Sequence, residues 1–213
     1  MKHAVRCIAA VAPVIACAAV LAGEGAKAPA TPEDAVAELE AATRAGDLDR
    51  VLAVFAEPAR STLRSMYAVM ARGEAAHRAL AQAADARFGK AEDAQLAAPR
   101  QYDLSGARAD MKQTRSVKIA KREAAGDDVR LELEFAAPTG PPVGTYIARR
   151  QGQGWPLLPR EFAEWGPEQA KDAEETAAEF AKHAAAIEQL ATDVRAGKYE
   201  TREAVREAAV RIP

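Results

Sequence analysis

Val129-Arg130-Leu131-Glu132-Leu133-Glu134-Phe135 alternates apolar and charged residues without a break. A period of two with one wet face is the pattern of a half-buried antiparallel strand. Gly126-Asp127-Asp128 marks a turn just before it, and Val117-Lys118-Ile119 alternates on the far side of that turn. Beyond Phe135, the stretch Pro138-Thr139-Gly140-Pro141-Pro142 leads to Val143, Thr145 and Ile147. Gln151-Gly152-Gln153-Gly154 then turns into Trp155-Pro156-Leu157-Leu158. These runs predict an antiparallel sheet of three to four strands.

Helical patterns flank the sheet on both sides, which makes the fold class α+β. Thr31-Pro32-Glu33-Asp34 has the order of a helix start, with Thr31 as cap, Pro32 at the first helical position and acids in the first turn. Gly46 ends that helix and Asp47 caps a second, whose apolar face is Leu48, Val51, Leu52 and Phe55. From Pro58 to Phe88 one long stripe runs through Leu63, Met66, Tyr67, Met70, His77, Leu80, Ala84 and Phe88. Gly73 is a candidate kink in it, and Gly89 a terminator. Residues 90–114 carry little periodicity and read as a loop or partly ordered connector.

Pro167 to Arg195 is the most regular segment. Ala170, Ala177, Ala184 and Ala191 recur every seven residues, as do Ala173, Phe180, Ile187 and Val194. This predicts a long amphipathic helix with a narrow seam, packed on the chain itself or on a partner. A short last helix over about 202–211 is capped by Thr201.

The first 22 residues place a basic end, Lys2 and Arg6, before an apolar run from Cys7 to Ala22 and the polar Gly23-Glu24-Gly25. That order is the layout of a secretory signal. The run spans 16 residues, short of the ~20 that cross a bilayer. Cleavage after Ala22 is one exit. The other is Val14-Ile15-Ala16-Cys17, which resembles the lipobox of bacterial lipoproteins and would make residues 1–16 the leader and Cys17 the lipidated first residue. The expected organisation is therefore a signal peptide over 1–22 (or 1–16) and a tether over 23–30. A helical hairpin plus sheet follows over 31–158, then a helical extension over 159–213. The expected location is exported, periplasmic or extracellular, with a membrane reached only through a lipid on Cys17.

Cys7 and Cys17 are the only two cysteines, so removal of the leader excludes a disulfide in the rest of the chain. The whole chain has net charge −2; Lys2 and Arg6 lie in residues 1–22, which hold no acid, leaving 27 basic against 31 acidic residues, or −4. Mild acidity gives no electrostatic footprint for nucleic acid. The basic groups Lys118, Lys121-Arg122 and Arg149-Arg150 lack interleaved stacking aromatics.

Ala45-Gly46-Asp47-Leu48-Asp49 with Val51, Leu52 and Phe55, and Gln151-Gly152-Gln153-Gly154-Trp155-Pro156-Leu157, resemble segments of the nuclear-transport-factor-2-like superfamily of cone-shaped (cystatin-like) α+β domains. The resemblance covers residues 33–158. It implies helices closing over a curved sheet and, in the enzymes among its members, a pocket where an Asp, Tyr or His transfers protons. His77, Asp103 and Tyr146 are the pocket candidates on that basis.

Outside the resemblance, chemistry does not assemble into a motif. His77 sits on an apolar stripe and reads as a packed histidine, and His183 flanks the seam. Two isolated histidines do not make a metal-ligand pattern, so no metal and no cofactor are expected. Glu174-Glu175 reads as a solvated face, and Asp127-Asp128 as a turn. Ser61, Ser65, Ser105 and Ser116 lack the context of a nucleophilic serine. No catalytic residue is assigned. The leading expectation is an exported non-enzymatic binding or interaction domain. The alternatives are a small-ligand or enzymatic pocket of the nuclear-transport-factor-2-like type, and a structural or oligomerisation role for the 167–195 helix.

Overall fold

The structure, a computed structural model, describes residues 29–91, 96–137 and 142–212. The expected leader with Cys7 and Cys17, residues 23–28 of the expected tether and residues 138–141 lie outside the described residues. Among the described residues, seven α-helices and a four-stranded sheet make the fold α+β, with the helices α1 (Pro32–Ala45), α2 (Leu48–Val54) and α3 (Ala59–Phe88) preceding the sheet. A 3-10 turn (Arg100–Tyr102) and α4 (Leu104–Lys112) follow, then β1 (Val117–Ala125), β2 (Asp128–Phe135), β3 (Val143–Ala148) and β4 (Leu157–Pro159). The chain ends with α5 (Arg160–Ala163), α6 (Pro167–Arg195) and α7 (Arg202–Val210).

The helix ends follow their chemistry. Thr31 Oγ1 accepts from Asp34 N at 3.0 Å, Asp47 Oδ1 from Arg50 N at 3.1 Å and Thr201 Oγ1 from Ala204 N at 3.2 Å. Each satisfies an amide that the helix itself leaves free. Gly46 closes α1 with φ 64°, the left-handed conformation that glycine adopts without steric cost.

One expectation is corrected. Residues 90–114 are not a loop throughout, because Arg100–Tyr102 and Leu104–Lys112 are helical. Leu104 and Met111 are buried, seven residues apart, so one side of α4 faces inward. Two anchors in a polar stretch leave too sparse a stripe to register as periodicity.

The described residues divide into two compact units, each assembled from two stretches: those up to Tyr67 with Ser105–Glu174, and Ala68–Leu104 with those from Glu175 onward. In the first, the sheet is a simple meander in the order β1-β2-β3-β4, antiparallel throughout. Val129, Leu131, Leu133 and Phe135 of β2 are buried on one face, as are Tyr146 and Ala148 of β3. Along β1, the Val117 amide donates to the Glu40 carboxylate of α1 at 3.2 Å, and Arg122 pairs with Glu33 at 3.4 Å. Phe55 is bridged to Leu157, and the Ala56 amide donates to the Leu157 carbonyl at 2.8 Å.

The second unit is helical. Its core joins Ala76, Leu80, Ala83 and Ala84 of α3 to Ile187, Leu190, Ala191 and Val194 of α6, with Leu96 and Val205 completing it. The C-terminal half of the seven-residue seam is thus spent inside the chain. Arg72 of α3 grips the Glu188 carboxylate of α6 with two hydrogen bonds of 2.8 and 2.7 Å. Arg202 of α7 binds Asp85 at 2.7 Å and also donates to the Gly89 carbonyl where α3 ends.

Candidate functional site

His77 and His183 stand 106 residues apart in sequence and meet in the second unit, with their Nε2 atoms 3.3 Å apart. His77 is buried at 4% exposure because its place on α3 continues the stripe through Ala76 and Leu80. Its Nδ1 is buried as well and makes no hydrogen bond of ordinary geometry. Burial, and then the charge His183 would carry, push the His77 pKa down; the nearby Leu96 backbone opposes this. His77 is therefore neutral at pH 7.

Tyr102 closes one side of the pair. Its ring lies over His183, with centroids 5.3 Å apart and planes 17° from parallel, and touches His77 at 6.0 Å and Phe180 at 5.4 Å. Its hydroxyl donates to the Phe180 carbonyl at 3.4 Å, and burial raises its pKa. The ring rests on Gly73, where a Cβ would come within 2.1 Å of it. Gly73 is thus a seat for Tyr102 inside a continuous helix. The 3-10 turn carries Tyr102 into place; it is too short to leave a periodic pattern, and no local signal joins the residues of this cluster.

A second surface is the open face of the sheet. Across β1 and β2, Lys118 stands opposite Glu134, Lys121 opposite Glu132, and Glu123 opposite Arg130. Cross-strand pairs of opposite charge stabilise a ladder. The register shifts between Ile119 and Lys121, with Ala120 as the extra residue. This bulge sets Lys118 and Lys121, three apart, against Glu134 and Glu132, two apart, while Ile119, just before it, pairs with Leu133. Lys121 also bridges Glu123 at 2.7 Å. Lys121, Glu123, Arg130 and Glu132 line a shallow open hollow. The signal for the bulge lay in that mismatch of charge spacing.

The pocket candidates fall on both units. His77 belongs to the pair just described, and Asp103 is exposed beside Tyr102 at the start of α4 in the same unit. Tyr146 belongs to the first unit, where Phe55 stacks on it at 6.4 Å and Phe135 meets it at 6.2 Å. Burial, and to a lesser degree Glu161, hold its phenol far above its usual range, so Tyr146 stays protonated. Among the described residues no three His, Cys, Asp or Glu side chains are grouped to hold a metal ion. No helix of the described residues is long and apolar enough to cross a membrane. Compared with known proteins, the chain matches no family model, no curated protein and no solved structure.

Proposed function

We propose that the chain is an exported interaction domain without catalysis of its own, engaging a partner through the open face of its sheet. The observation that carries this reading is the row of three opposed charge pairs on β1 and β2. A surface of fixed, alternating charge orients a partner by complementary pairing, which serves specificity more than raw affinity. Being self-neutralised, it has no general attraction for a polyanion, so nucleic acid is not the partner. The rings of His77, His183, Tyr102 and Tyr146 pack on one another or on phenylalanines, which also favours binding over catalysis.

A photo-crosslinking residue in place of Glu132 tests this in cells that produce the full chain. One discrete protein adduct is expected from position 132, lost when Lys121 and Arg130 are both reversed to Glu, with none from a control at Glu207. Equal adducts from both positions, or none from 132, overturn the reading. Export rests on the basic, apolar and small-residue order of residues 1–22. Intact mass of the native protein tests it: a start at Gly23, or a lipid on Cys17, supports export, and a retained leader overturns it.

The second reading is a ligand pocket of the nuclear-transport-factor-2-like type. The order of helices first and meander afterwards favours it. It predicts a small ligand that loses affinity on Tyr146→Phe.

A further inference from the structure

The two imidazoles of His77 and His183 meet end to end. Their centroids are 5.6 Å apart and their Nε2 atoms 3.3 Å apart, a difference equal to the radii of the two rings. With 27° between the planes, each Nε2 therefore points along the line to the other. A metal ion bridging them would need both lone pairs to converge on a point off that line. The in-line arrangement fits a proton: one Nε2 carries hydrogen and donates, and the other is bare and accepts. A first added proton can settle on an Nδ1 and leave that bridge intact. A second leaves N–H facing N–H, both rings positive, where His77 is 4% exposed.

We propose that the His77–His183 pair is a proton-operated latch within the second unit, closed while one proton lies between the two Nε2 atoms and open once both rings are imidazolium. Opening breaks only the N–H···N bond, and the second proton comes from water. The latch sits where it matters for this unit, because Ala76 and Leu80 flank His77 while Ala184 and Ile187 follow His183, all of them buried.

Several charged and titratable groups surround the pair. On α3, Glu74 and Arg78 are bonded to each other at 3.2 Å. On α6, Glu179 and Lys182 are exposed, and Glu188 is held by Arg72. From the connector, Tyr102 is kept neutral by burial and Asp103 is exposed. After burial, the charge that depresses His77 is that of His183.

Histidine nitrogen NMR and amide hydrogen exchange on the full chain freed of its leader test the latch. Near pH 7.5 one protonated and one bare Nε2, coupled through the hydrogen bond, are expected. On acidification the coupling should vanish, and the protection of residues 76–84 and 184–194 should fall by about tenfold for each pH unit below that step. In His183→Gln the amide donates to a bare Nε2 and, turned over, accepts from a protonated one, so protection should stay level across that range. His183→Leu cannot bridge and should show reduced protection already at pH 7.5. Two rings titrating independently at the ordinary histidine value, or an acid response unchanged in His183→Gln, overturn the latch. Stoichiometric stabilisation by Zn²⁺ that His183→Gln abolishes would put a metal in place of the proton and overturn it too.

Discussion

The ring of Tyr102 fills the space that a side chain on residue 73 would need, with Cδ1 and Cε1 at 2.1 and 2.4 Å from the position of a Cβ on Gly73. In an ordinary helix interior, Gly→Ala stabilises by roughly 0.5–1 kcal/mol. Here the added methyl must displace a buried ring, and overpacking of that kind costs about 1–3 kcal/mol. Gly73→Ala is therefore expected to lower stability in urea unfolding. In a Tyr102→Ala background, where the ring is gone, the same change should turn stabilising. A destabilisation unaffected by removal of Tyr102 would show that the contact is not the cause.

Position along the α6 seam decides what a charge costs there. Ala170 is exposed, whereas Ala184 is fully buried near Ile187 and Leu190. Ala170→Glu is expected to change stability by no more than about 0.5 kcal/mol. Ala184→Glu buries a carboxylate with no partner and should cost several kcal/mol or prevent folding of the second unit. Thermal melts of the two variants side by side check this. A similar loss in both would mean that the whole seam is covered.

What the sequence revealed and what it hid divide along a physical line. Local chemistry was legible: Thr31, Asp47 and Thr201 cap the helices expected of them, and the alternation around Val129–Phe135 became β2. Each of those signals acts over a few residues. The histidine pair joins positions 106 residues apart through two helices, and no periodicity within either helix reports on the other. The stripe did place His77 inward, but its partner only flanks the seam. Tyr102 was missed because its turn is three residues long and the helix after it has two apolar anchors. What the seam of α6 packs against was likewise a tertiary fact, set by the shape of the α3 surface from Ala76 to Ala84.

The bulge at Ala120 makes a prediction about deletion. Ala120 is exposed and has no partner on β2, while Lys121 already faces Glu132 and Ile119 already faces Leu133. Removing Ala120 leaves every cross-strand pair as it is, so the variant should fold with the same register and lose only the local twist. Removing Ile119 instead should cost more, because Ala120 would take its place opposite Leu133 and a half-buried side chain would be lost. Cross-strand amide contacts by NMR, with melting curves, distinguish the two deletions. Equal damage from both would mean that the bulge itself is needed.

Asp85 and Arg202 give the second unit an acid limit of its own. The hydrogen bond from Arg202 holds the Asp85 carboxyl below its usual value, with its own burial opposing that shift. A carboxylate whose folded pKa lies under its unfolded one stabilises the fold above the unfolded value, near pH 4, and loses that contribution as pH falls through the folded value. Asp85→Asn should therefore be less stable than the parent at pH 7, and the gap should close as the pH drops below about 4. Arg202→Gln should show the same convergence, with an extra loss at every pH because Arg202 also serves the Gly89 carbonyl. Urea midpoints measured from pH 7 to pH 3 decide it. A gap that stayed constant over that range would mean that the pair contributes through packing and not through charge.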